Sequence, residues 1–173
     1  MAQVSRVIEK SKIPTQRFRL VWVSASEGKI FAQIMTKAAE ELRILGPLSE
    51  EVINGVPTIN KVVAAESLFL KFPVRWLTAK AGILMEEENV FGEREDPNKL
   101  KKMADIFFET EYLKQLILRL ISNNPTSLIK LAEKLDTPSK KIFDCLIELN
   151  MDGLVNIVGF ENDYPVYLHR GVL

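Results

Sequence analysis

The 173-residue chain balances 23 Lys and Arg against 23 Asp and Glu and is 47% apolar. It has room for one or two domains with a sizeable core, and it carries no overall field that would recruit nucleic acid or an anionic membrane. No apolar run approaches the roughly 18–20 residues that span a bilayer, the start of the chain with Arg6, Glu9 and Lys10 does not read as a signal peptide, and the single cysteine excludes an intramolecular disulfide, so the cytoplasm is the expected compartment.

In chain order, residues 4–12 read as a short helix ended at Ile13-Pro14-Thr15. Residues 18–23 follow as a strand. Leu20, Val21, Trp22 and Val23 form an almost unbroken apolar run, the pattern of a strand covered on both faces in a parallel sheet. Ser24 to Glu27 spell a capping box, in which hydroxyl and carboxylate each satisfy an amide at a helix start. The helix itself carries Ile30, Phe31, Ile34, Met35, Ala38, Leu42 and Leu45 at spacings of three and four, and Gly46-Pro47 ends it. This is one β-α unit of an incomplete parallel sheet, because no further strands of that sheet are legible downstream. An orphan strand leaves ladder groups unpaired and apolar surface open, which invites pairing with another chain. Leu20, Val21, Trp22, Val23, Ser24, Ser26 and Glu27 are therefore the expected partner-binding residues.

Residues 49–110 read as a helical linker region. Ile59, Val62, Val63, Leu68 and Phe69 mark one helix, Phe72-Pro73 interrupts it, and a further segment carries Trp76, Leu77, Ile83 and Leu84. Residues 86–96 form an acidic surface loop, with a helix from Pro97. Residues 111–173 have the clearest independent architecture. A helix with Leu113, Leu116, Ile117, Leu120 and Ile121 stops at Asn123-Asn124-Pro125. A short one with Leu128, Leu131 and Leu135 follows, and then one with Ile142, Phe143, Leu146 and Leu149 behind Thr137 as N-cap and Pro138 at its first position. Residues 154–160 and 164–169 read as two strands joined by Glu161-Asn162-Asp163. Three helices and a hairpin in this order resemble a winged helix. The expected fold is thus mostly α, with a partial α/β unit over 1–48, the helical region over 49–110 and a winged-helix-like domain over 111–173.

The run Trp22-Val23-Ser24-Ala25-Ser26-Glu27-Gly28 resembles the Trp-(Ile/Val)-Ser-Ala-Ser-Glu-Gly signature of the delta, or iron–sulfur, subunit of methyl-viologen-reducing hydrogenase. That subunit links hydrogenase or formate dehydrogenase to heterodisulfide reductase. The similarity extends over residues 4–48 and more loosely through Asn89-Val90-Phe91-Gly92-Glu93 to the C-terminal domain. In the family the signature closes a small α/β domain whose earlier part carries cysteines for a two-iron two-sulfur cluster, so the resemblance is to the C-terminal portion of that subunit. Such a cluster needs four thiolates, or two thiolates and two imidazoles. Cys145 and His169 are the sole cysteine and histidine, so this chain cannot hold the cluster alone, nor a structural zinc site without recruiting carboxylates. The resemblance implies no cofactor on this chain, with iron–sulfur clusters and FAD on partners. Those partners are an iron–sulfur protein bearing the missing cysteine domain, a flavin-containing heterodisulfide reductase A-type subunit, and hydrogenase or formate dehydrogenase.

Two competing functions fare worse. A winged-helix transcriptional regulator would contact phosphates through Lys and Arg. Residues 137–173 hold only Lys140, Lys141 and Arg170 against Asp144, Glu148, Asp152, Glu161 and Asp163. An enzyme would need a site, and there is neither a Gly-rich phosphate loop nor a base beside Ser24 and Ser26, whose hydroxyls read as caps. Glu86-Glu87-Glu88 reads as a solvated charge run and Cys145 as a buried structural thiol. No catalytic, cofactor-binding or metal residue is assigned. The reading is an accessory, cluster-free docking subunit of a heterodisulfide-reductase-type, electron-bifurcating complex.

Overall fold

A computed structural model describes residues 2–88, 92–94, 96–122 and 124–171. Seven helices dominate these residues, with two small antiparallel sheets. Helix α1, Ala2–Ser11, buries Val7 and breaks where Lys12 turns left-handed (φ 58°), which sends Ile13 into the interior. A single 3₁₀ turn, Thr15–Arg17, leads into an extended stretch and then helix α2, Gly28–Leu45.

Strands β1, Val52–Ile53, and β2, Val56–Pro57, form a minimal hairpin within the region expected to be helical. Its turn is Asn54-Gly55, both at positive φ (53° and 74°). That geometry matches the twist of paired strands and is open to Asn and Gly at little steric cost. Helix α3, Thr58–Leu70, follows directly; Phe72-Pro73 starts helix α4, Phe72–Glu86, because Pro suits a first helical turn.

Helix α5, Pro97–Ile121, is the spine of the molecule. Asp96 caps it, its carboxylate accepting from the Asn98 amide at 2.9 Å, and Pro97 occupies the first turn. The two apolar segments read separately on either side of residue 110 are this one continuous helix, since no breaker lies between them. Its first buried residues, Phe108, Tyr112 and Leu116, pack with Val7, Val56, Ala64, Leu68 and Val74 in one core. Leu113, Ile117, Leu118 and Ile121 belong to a second core, with Leu131, Ile142, Leu146, Leu149, Val155 and Tyr167.

The second core is built from the end of α5, strand β3, Thr126–Ser127, helices α6, Leu128–Leu135, and α7, Ser139–Met151, and strands β4, Val155–Glu161, and β5, Tyr164–His169. The sheet order is β3-β5-β4, antiparallel throughout, with Thr126 opposite Tyr167 and Val155 opposite His169. Register shifts between Ile157 and Gly159. Thr137 does not cap α7. Its hydroxyl donates to the Leu135 carbonyl at 3.0 Å, and Pro138 stands at the cap position with the helix beginning one residue later. Among the segments read from sequence, Asn123 of the helix stop and Asn89, Val90 and Phe91 lie outside the described residues.

An ion network ties the two cores together. Glu111 on α5 accepts from Lys114 at 2.6 Å and from Lys71, after α3, at 3.2 Å, while Lys114 reaches Glu148 on α7 at 2.5 Å. Burial pushes the Glu111 carboxyl up, but the Lys114 hydrogen bond and the Lys71 charge outweigh it and hold the group below its ordinary value of 4.5. A carboxylate depressed in the folded state contributes stability fully above its unfolded pKa and loses it as pH falls through the folded one. The thermal midpoint is therefore expected to drop on acidification below about 4.5. Glu111→Gln should lower the neutral-pH midpoint and flatten that acid limb in a pH series of melting curves.

Candidate functional site

A surface open to a partner lies on residues 18–45. The expected doubly covered strand is not formed within the chain. Residues 19–23 belong to neither sheet of the described residues, and their apolar side chains stand in solvent: Leu20 is 47%, Val21 48% and Trp22 88% exposed, with only Val23 half-buried. The physical reason is the lack of a ladder. A strand is stabilised by neighbours, and this run pairs with none of the described strands.

The capping box forms by half. The Ser24 amide donates to the Glu27 carboxylate at 2.8 Å, but the Glu27 amide turns to the Ser24 carbonyl at 2.9 Å and not to its hydroxyl. The Ser24 and Ser26 hydroxyls lie 3.0 Å apart, and α2 begins at Gly28 with Glu27 at its cap. These exposed hydroxyls have no histidine beside them; His169 sits on β5. Ser24, Ser26 and Glu27 thus fix the angle between the extended stretch and α2.

Helix α2 continues the open surface. None of its residues is buried, and Ile30, Phe31, Met35, Leu42 and Ile44 are all exposed. Of the stripe that sequence periodicity marks out, Ile34, Ala38 and Leu45 are half-buried and the rest stands in solvent, because α2 meets the remainder of the chain chiefly through the 3₁₀ turn. That attachment is nonetheless specific. Arg17, nearly buried, donates to the Leu45 and Gly46 carbonyls at 3.3 and 3.0 Å and forks onto both Glu51 oxygens at 3.3 Å, capping the end of α2 and pinning it to the β1 side. Arg19 pairs with Glu41 across the root of the extended stretch. Exposed apolar side chains on a segment anchored in this way make it a candidate interaction surface.

Leu20, Val21, Trp22, Val23, Ser24, Ser26 and Glu27, expected from the sequence to meet a partner, all lie on this one arm. Sequence reasoning missed Arg17 and Glu51, which hold the arm in place. Neither has a motif that announces the pairing.

Elsewhere the chemistry is sparse. Cys145 is buried on α7, and desolvation pushes its thiol up to about 11, well away from a reactive thiolate. Among the described residues no group of three or more His, Cys, Asp or Glu is placed to hold a metal ion, and no helix is long and apolar enough to cross a membrane.

Residues 1–46 match the model of the family described as methyl-viologen-reducing hydrogenase, delta subunit. The match takes in α1, the 3₁₀ turn, the extended stretch and α2, and so contains the whole exposed apolar arm. It ends at the C-cap of α2; the looser similarity expected through residues 89–93 and beyond lies outside it. No curated protein and no solved structure matches the chain. The match covers 46 of the 173 residues and does not extend over the helices after α2.

Proposed function

We propose that this chain is a non-catalytic, cluster-free docking subunit of a heterodisulfide-reductase-type electron-transfer complex, cytoplasmic and bifurcating. In this reading residues 1–46 correspond to the C-terminal portion of the delta subunit. Residues 18–23 complete the sheet of an iron–sulfur domain carried by another chain, whose cysteines hold the cluster. The role is to anchor that domain within reach of its electron donor, hydrogenase or formate dehydrogenase, and of a flavin-containing reductase subunit. The observation that carries the reading is the coincidence of the family match with an arm whose apolar residues, Trp22 above all, the chain leaves uncovered.

The module of α5 to β5 is read here as a winged helix used for protein docking. Its helix α7 supports that use over DNA binding. The exposed positions Phe143, Ile147 and Met151, four residues apart, make an apolar stripe where a DNA reader would carry Lys, Arg or Asn, and Lys141 is tied to Glu109 at 2.5 Å.

The test is anaerobic purification of the native complex, with its chains identified and its iron and flavin measured. The expected result is stoichiometric recovery with an iron–sulfur chain and a flavoprotein. Recovery of the chain on duplex DNA, free of iron and flavin, would overturn the proposal in favour of a regulator.

A further inference from the structure

The seam between the two cores holds a cleft of about 140 Å³ whose lining includes Lys12, Lys61, Lys134 and Lys141, together with Glu109 and Tyr112. Four lysines from four separate elements thus line one small space: the residue after α1, α3, α6 and α7. Of the carboxylates only Glu109 lines the cleft, where it accepts from Lys141 at 2.5 Å. Asp136, at the end of α6, is 3.8 Å from Lys12, and Glu51 acts on Lys61 from nearby. Four lysines against Glu109 leave the lining itself net positive.

Lys61 is the unusual member. The residue is only 6% exposed, yet its ammonium makes a single described hydrogen bond, to the Ser11 carbonyl at 2.9 Å. An ammonium has three donors, and a buried charge is normally paired. Burial first, and then the neighbouring Lys12, push its pKa down, with Glu51 pulling the other way. An anion in the cleft would supply the missing partner, since charge-assisted hydrogen bonds are the strong ones. The size of the cleft limits that anion to a single small group, and convergent ammonium point charges suit a phosphate, which carries about −1.5 to −2 charge at neutral pH.

We propose that this seam is a binding site for one phosphate group, either the free ion or the head of a small phosphate monoester, and that its occupancy braces the two cores against each other. The site is independent of the docking arm, so its test does not depend on any partner.

The experiment titrates inorganic phosphate, and separately glycerol 3-phosphate, into the full chain at constant ionic strength, followed by calorimetry and thermal unfolding. Saturable binding with a rising melting midpoint is expected, and the tighter of the two probes identifies the source of the group. Lys134→Ala and Lys12→Ala, at exposed side chains, should each weaken binding roughly three- to tenfold, while Lys140→Ala, outside the cleft, should not. Lys61→Met should abolish the phosphate response yet leave the phosphate-free midpoint unchanged or raised, since an apolar side chain replaces a poorly paired buried charge. Equal responses to phosphate and chloride, or binding indifferent to Lys12, Lys61 and Lys134, would mean an adventitious ion only and overturn the proposal.

Discussion

Trp22→Ala is expected to leave the isolated chain as stable as before, within about 0.5 kcal/mol by denaturant titration, and to cost about 2 kcal/mol or more in association with the iron–sulfur partner. The two halves of that expectation come from one number. Trp22 is 88% exposed in the chain alone, so truncating it removes little packing and opens no cavity. If the same indole is the centre of a docked surface, its removal acts only on the complex. Val21→Pro extends the argument to the backbone. Residues 19–23 make no ladder bonds within the described sheets, so losing one amide should not disturb the isolated fold. In a central strand of a partner's sheet the missing donor and the ring cannot be accommodated, and co-purification should fail. Normal assembly of Val21→Pro would remove the physical basis of the strand-completion reading. A large loss of stability in the isolated Trp22→Ala chain would instead mean that the arm folds back onto its own protein.

Ile117→Ala should have the opposite profile, a loss of about 2–5 kcal/mol in the chain itself. Ile117 is fully buried near the C-terminal end of α5, among the side chains of the second core, with Leu116 beside it in the first. Because one helix serves both cores, and the Glu111–Lys114–Glu148 network crosses between them, the damage should appear as a single cooperative transition moved to lower denaturant by both far-ultraviolet circular dichroism and tryptophan fluorescence. Trp76, read in a Trp22→Phe background, reports on α4, whose Val74 lies in the first core, while circular dichroism sums the helices of both cores. Two resolved transitions with only one displaced would show that the cores are energetically separate, and that α5 joins them without coupling them.

Much of the helical architecture was legible because local signals and burial agree. In α6 and α7, Leu131, Ile142, Leu146 and Leu149 recur at helical spacing and are all buried. The β4-β5 hairpin followed from β-branched and aromatic runs about Asn162-Asp163, whose left-handed backbone suits those residues. The Asn54-Gly55 hairpin was equally announced by its turn dipeptide, and was lost because the surrounding apolar residues were absorbed into a helical reading.

By itself the sequence determined which stretches are apolar, where helices start and stop, and that one cysteine and one histidine cannot hold a two-iron two-sulfur cluster. It also determined the signature over residues 22–28 that the family match over 1–46 includes. What only the tertiary structure decided is which apolar stripes this chain covers itself. Periodicity gives the same stripe to α2 as to α7, yet α7 buries Ile142, Leu146 and Leu149 while α2 buries none, since coverage depends on what packs opposite and not on the helix. The same holds for charge. Lys12, Lys61, Lys134 and Lys141 are ordinary surface residues in a linear reading, and they become a positive cleft only because α5 brings the ends of the chain together around one seam.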